Sequence, residues 1–161
     1  MKITLDEGAV MPQRAHLQDA GLDLFSREEK VIFPGESAVF DTGVHVELPE
    51  GTFGKLESKS GLHINFDIIC AGGTLDEGYT GSIHVKLYNM GTKPYMVRKG
   101  QKIVQMVVIP ILRPELELVD HLEETERGSN GFGSTGHFAS TGTASEVLKN
   151  SLEFWQEEQR G

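Results

Sequence analysis

Asp76 and Tyr79 stand three residues apart in Gly72-Gly73-Thr74-Leu75-Asp76-Glu77-Gly78-Tyr79-Thr80-Gly81, a ten-residue stretch with four glycines. A carboxylate can orient or deprotonate a water, and a tyrosine ring offers a flat apolar face. Glycine accepts positive φ and lets a ligand approach bare backbone. The same residues also suit a solvated turn, since turns favour Gly and Asp. Taken alone, the stretch leaves both readings open.

Four further features carry chemistry. Ala20–Ser26 places Asp23 among leucines. Ser58-Lys59-Ser60-Gly61 gathers a cation, hydroxyls and a glycine amide, a set that suits phosphate oxygens and is also common in loops. Gln105 interrupts the apolar run Ile103–Ile109, and a buried amide requires a specific partner, whether protein, water or ligand. Arg127-Gly128-Ser129-Asn130-Gly131-Phe132-Gly133-Ser134-Thr135-Gly136 is too glycine-rich for a packed element. It reads either as a disordered tail or as a flexible arm that closes over a ligand, Arg127 clamping phosphate and Phe132 stacking on a ring. The six histidines have no metal-ligand spacing, and His45 and His84 fall at outward positions of alternating strands, so both read as solvated. Cys70 lacks a neighbouring His or Asp in sequence and reads as a small buried apolar residue.

The elements that must position these residues are short strands. Met1–Leu5, Leu22–Leu24, Val31–Phe33, Val44–Leu48 and Phe53–Leu56 are strand-like, with Pro34-Gly35 and Pro49-Glu50-Gly51 as turn signals. Ile68–Ala71 and Ile83–Leu87 flank the glycine-rich stretch as a hairpin with a long or bulged connection. Tyr95–Gly100 precedes Ile103–Ile109, an unbroken run that predicts a strand buried on both faces, and Leu116 and Leu118 mark one more short strand. This pattern predicts an all-β sandwich or barrel. Residues 137–142 read as a linker. Thr143–Glu146 has capping-box spacing, and Leu148, Leu152 and Trp155 then form the stripe of an amphipathic helix of about three turns.

At 161 residues the chain suits one domain with a full core. No run approaches the roughly 20 apolar residues of a membrane span, and the N-terminus lacks the apolar core of a signal peptide. A single cysteine suits a reducing cytoplasm. The net charge of −9 argues against stable nucleic-acid binding but leaves room for a small anion held by local cations, amides or a metal ion.

In order, Ala20–Ser26, Ser58–Leu62, Gly73–Gly81, Lys99–Met106 and Arg127–Gly136 resemble the five motifs of the trimeric dUTP diphosphatase (dUTPase) family, and the resemblance covers residues 1–136. It implies a jelly-roll-like β-barrel over residues 1–126, an active-site arm over 127–136, and an extension over 137–161. It implies a homotrimer with active sites shared between subunits, and hydrolysis of dUTP to dUMP and pyrophosphate with Mg2+ chelated by the triphosphate. By the same resemblance, Asp76 activates the water that attacks the α-phosphorus and Tyr79 packs under the deoxyribose. Backbone groups of Cys70, Gly73, Thr74 and Leu75 read uracil. Lys59, Ser60, Gly61 and Gln105 contact phosphates or the water, and Asp23 holds magnesium-bound water. Arg127 from another subunit grips the distal phosphate, Phe132 stacks over uracil, and Gly133, Ser134 and Thr135 complete the arm.

The chain departs from the family pattern in several places. Lys59 replaces an arginine and loses its bidentate fork. Gln101-Lys102 replaces an acidic residue and an arginine, which predicts loss of a structural ion pair. Cys70 stands where many relatives have an asparagine, and Ser82 where an acidic residue is common. Two alternatives share the scaffold. One is a dCTP deaminase, alone or combined with dUTP hydrolysis; the other is a nucleotide-gated regulatory protein whose C-terminal helix docks a protein partner.

Overall fold

A computed structural model describes residues 1–130. Phe132, Gly133, Ser134, Thr135 and the expected C-terminal helix lie outside the described residues. Met1–Glu115 forms one compact unit, and a second begins at Leu116.

The first unit is all-β apart from one short helix. Its strands are β1 (Lys2–Leu5), β2 (Leu22–Phe25), β3 (Lys30–Ile32), β4 (Ser37–Asp41), β5 (Val44–Glu47) and β6 (Thr52–Ser58). Helix α1 (Ser60–Phe66) follows, then β7 (Ile68–Cys70), β8 (Thr74–Leu75), β9 (His84–Asn89), β10 (Tyr95–Val97) and β11 (Lys102–Pro110). The strands form four sheets, ordered β1-β5, β10-β3, β2-β11-β6-β8 and β4-β9-β7, with every pairing antiparallel. These are open sheets, not one closed barrel ladder.

Period-two patterning builds the core. In β9, Val85 and Leu87 are buried while His84 and Lys86 face out. They meet Leu24, Phe40, Val44, Ile68, Val97, Val104 and Met106 from strands of every sheet. The expected hairpin forms between β7 and β9, in register from Ile68 with Asn89 to Cys70 with Leu87. Its connection is long because part of it, β8, joins a different sheet by pairing with β6.

Two expectations are corrected. No strand forms at Leu116 and Leu118, which are 97% and 100% exposed. Their alternation has nothing to pack against within the described residues. Strand β11 is buried on both faces only in its first half; Val107, Val108 and Ile109 are half-buried. Ser60-Gly61 opens α1, a helix the sequence pattern did not predict. That helix was hidden in the sequence because Leu62 is its one buried side chain, too little to set a 3.6-residue stripe.

Candidate active site

The centre of the largest sheet brings together residues from three distant segments. Gln105 on β11 pairs with Asp23 on β2 and with Glu57 on β6. Lys59 follows β6 directly, and Lys102 opens β11. Asp23 is buried, and each of its carboxylate oxygens accepts from an ammonium: Oδ1 from Lys59 Nζ at 2.5 Å and Oδ2 from Lys102 Nζ at 2.8 Å. Burial pushes the Asp23 pKa up. The hydrogen bonds and charges of Lys102 and Lys59 outweigh that and hold it below the ordinary 3.8.

Gln101-Lys102 therefore does not leave this region without an ion pair, contrary to the expectation from the fourth motif. Lys102 pairs with Asp23, while Gln101 Oε1 accepts from Arg98 N at 3.0 Å and its Nε2 donates to Tyr95 Oη at 2.6 Å.

Gln105 has the partner that its setting demands, although the contact is long. Its Nε2 donates to Ser58 O at 3.5 Å. Its side chain lies against Gly21, where an added Cβ would stand 2.6 Å from Gln105 Oε1. Gly21 is thus part of the frame that sets the Gln105 amide. The sequence signal for it was a glycine beside a strand, which often marks a close approach.

Ser58 links this cluster to the hairpin. Its Oγ accepts from Cys70 N at 2.9 Å and donates to Cys70 O at 3.1 Å. The Cys70 backbone expected to read a base is thereby engaged with Ser58. The Cys70 thiol is buried, donates to Gly72 O at 3.5 Å, and has its pKa pushed up by that burial. Gly73 O accepts from Leu56 N at 3.0 Å, so the glycine pair is stitched to β6. Gly72 has φ +89°, a region glycine occupies without the penalty of a Cβ.

Beyond β8 the chain turns, with Tyr79 N donating to Asp76 O at 2.9 Å. Glu77 anchors this turn: its Oε2 accepts from Gly51 N at 2.9 Å and from Arg113 Nη2 at 2.5 Å. Asp76 is exposed. Tyr79 Oη donates to Ser82 O at 2.8 Å, and the ring lies against Gly81, where a Cβ would meet Tyr79 Cζ at 2.7 Å. The hydroxyl end of the ring is thus held by protein while Tyr79 remains 43% exposed.

The base of this loop is polar. Ser82 Oγ donates to Asp41 Oδ1, and Gly43 N donates to Ser82 Oγ at 3.1 Å and to Asp41 Oδ1 at 3.0 Å. Arg27 pairs with Asp41 and reaches Asp6 at 3.4 Å. His45, read from the sequence as solvated, makes Nδ1···Thr80 O at 2.9 Å and Nε2···Asp6 Oδ1 at 3.1 Å. Strand alternation put its side chain outward correctly, but it missed that a loop distant in sequence covers that face. His84 is more exposed and contacts Ser82 O through Nδ1 at 2.9 Å.

Among the described residues, no hydrogen bond or ion pair joins Asp76 or Tyr79 to Asp23, Lys59 or Gln105. Ser60 and Gly61 are exposed at the start of α1. Arg127 lies in the second unit, where its Nε donates to Asn130 O at 3.2 Å. The described residues contain no group of three or more His, Cys, Asp or Glu side chains placed to hold a metal. None of their helices is long and apolar enough to cross a membrane.

A dUTPase family model matches residues 7–136. The chain is 46% identical over 139 residues to a deoxyuridine 5'-triphosphate nucleotidohydrolase of Gloeothece citriformis, covering 84% of this chain and 96% of the relative. It is 47% identical over 134 residues to the protein of the same name from Clostridium tetani, covering 82% and 92%. Among solved structures, a Staphylococcus bacteriophage 80alpha dUTPase mutant with dUpNHpp superposes with a TM-score of 0.80 at 34% identity, covering 84% of this chain and 98% of that one. A mutant dUTPase from phage phi11 of S. aureus, described with a structural Mg(II) ion, gives a TM-score of 0.72 at 32% identity and covers 76% and 98%. With residues 7–136 matched, a span that contains all five motif segments, the chain belongs to the dUTPase family.

Proposed function

We propose that the protein hydrolyses dUTP to dUMP and pyrophosphate, with Asp76 as the base and Tyr79 as the sugar platform. The observation that carries this reading is the Asp76–Tyr79 turn: an exposed carboxylate beside an aromatic ring whose hydroxyl end rests against Gly81 while the residue stays 43% exposed. Asp76 takes a proton from water as the water oxygen bonds to the α-phosphorus. The bridging oxygen departs with pyrophosphate. The ring face packs under deoxyribose, where a ribose 2′-hydroxyl has no space. Lys59, Ser60, Gly61 and Gln105 neutralise and orient phosphate oxygens. Arg127, Phe132, Gly133, Ser134 and Thr135 act from the arm of a neighbouring copy.

Sharing of sites in a homotrimer is supported by the finding that, among the described residues, no hydrogen bond or ion pair joins Asp76 or Tyr79 to Asp23, Lys59 or Gln105 within one copy. It is also supported by apolar side chains left open, including Val31 and Met96, which are direct partners across β3 and β10. The buried free thiol of Cys70 suits a reducing cytoplasm.

Magnesium enters as part of the substrate, chelated by the triphosphate. Asp23 accepts one ammonium on each oxygen and keeps a further lone pair on each, which supports an indirect role in which it holds magnesium-bound water. The positive charge offered on that side comes from Lys59 and Lys102. Deamination of dCTP has no comparable support, since the Asp76–Tyr79 pair is suited to water attack at phosphorus.

The test is pyrophosphate release from dUTP, dCTP, dTTP and UTP with magnesium. Only dUTP is expected to turn over rapidly, and Asp76→Asn is expected to abolish release while dUTP still binds. Retained turnover in Asp76→Asn removes Asp76 from its role; ammonia release from dCTP favours the deaminase instead.

A further inference from the structure

We propose that His45, as an imidazolium, is a positioning residue for the hydrolytic site, holding the Thr80 carbonyl through Nδ1–H and the Asp6 carboxylate through Nε2–H. The argument begins with what the two partners can do. A backbone carbonyl and an ionised carboxylate only accept hydrogen bonds, and a neutral imidazole carries one N–H. Contacts of 2.9 Å at Nδ1 and 3.1 Å at Nε2 are both satisfied only when both ring nitrogens are protonated.

The surrounding charges agree. Asp6 follows β1, Asp41 ends β4, and Arg27 bridges the two carboxylates. Lys2 and Glu47 flank His45 but pair with each other at 2.9 Å. His84 Nε2 lies 4.0 Å from Asp41 Oδ1. Two carboxylates and one guanidinium leave the cluster short of one positive charge, which protonated His45 supplies. The Thr80 carbonyl is the largest influence raising the His45 pKa above its ordinary 6.5. Burial opposes it, and Asp6 and Asp41 add to it.

The role follows from where Thr80 sits. It is the residue after Tyr79, whose hydroxyl is tied to Ser82 O. His45 on β5 thus fixes the loop on the carboxyl side of the ring, as Glu77 fixes it on the amino side. On deprotonation one of the two His45 contacts must break. The tie between β1, β5 and the loop is then lost, and the Tyr79 face shifts. Because the ring binds the sugar, the effect falls mainly on KM. The consequence for catalysis rests on the dUTP-hydrolysis reading.

The experiment measures kcat and KM for dUTP across pH in wild type, His45→Gln and Asp6→Asn. His45 bears its charge below its raised pKa and loses it as pH climbs through that value. In wild type, KM is therefore expected to rise about tenfold through a midpoint above 6.5. Gln retains an N–H donor but does not titrate, so this step disappears in His45→Gln. Asp6→Asn removes the facing carboxylate and moves the midpoint down. A His45→Gln profile with the same step, or an unmoved midpoint in Asp6→Asn, overturns the proposal. Ring-15N NMR titration of the full chain separates it from the activity reading. If wild type leaves dUTP intact, the hydrolysis reading fails on its own, and a His45 ring found neutral at pH 6.5 overturns the present proposal whatever the activity.

Discussion

Replacing Asp23 by Asn removes the carboxylate that two lysines share, and the cost can be worked from the geometry. At about 3 Å and an effective dielectric of about 20, each ammonium attracts the carboxylate by about 5 kcal/mol before desolvation. Burial of the acid offsets most of that. The lysine side chains keep 27% exposure at Lys59 and 43% at Lys102, so water screens the second pair more strongly. Asn preserves the shape but turns an amide N–H₂ toward one ammonium and leaves both cations facing a neutral group. Breaking a pair of this kind costs about 3 kcal/mol. With a urea slope of about 2 kcal/mol per molar, the unfolding midpoint drops by about 1.5 M at fixed protein concentration. Lys102→Met in the Asp23→Asn background returns part of the loss, because it removes a cation that no longer has a partner. The pH dependence has a definite sign. The folded pKa of Asp23 lies below 3.8, so its contribution is present above that value and is lost as pH falls through the lower, folded one. Asp23→Asn accordingly loses less of its remaining stability on acidification than wild type does. A midpoint within about 0.5 M of wild type, or strict additivity with Lys102→Met, refutes the shared-carboxylate account.

Gly21→Ala forces a methyl to 2.6 Å from Gln105 Oε1, so it is expected to cost about 1–3 kcal/mol of stability and to lower kcat by displacing the amide; unchanged melting and turnover would sink that reading. The buried Cys70 thiol, with its pKa pushed up from 9.0, is expected to react with iodoacetamide about a hundredfold more slowly in the native chain than in urea-unfolded chain; equal rates would show that the thiol is open to solvent.

Much of the strand layout was legible because period-two burial and Gly/Pro turns report directly on half-buried strands. Val44, Val46, Val85 and Leu87 all point inward as their alternation predicts. Strand β4 was harder to see, since Ser37–Asp41 offers only one buried side chain, Phe40. Helix α1 failed for a similar reason. The candidate chemistry could be recognised as residue types at motif spacing, but their partners could not. Nothing local in Lys102 announces Asp23, and nothing in His45 announces Thr80. Both pairings are made by chain segments that meet only after the sheets form. Leu116 and Leu118 show the reverse limit: alternation predicts a strand only where a neighbouring surface can accept one face.

Between Cys70 and His84 the chain leaves the β4-β9-β7 sheet, touches the β2-β11-β6-β8 sheet as β8, and returns. Asp76, the residue after β8, is therefore anchored through both sheets and not through either alone. Hydrostatic pressure narrows the spacing between sheets before it unfolds anything, and cooling does so more gently. The activation volume of turnover consequently contains a contribution from the compressibility of this inter-sheet gap, in addition to that of the bond-making step.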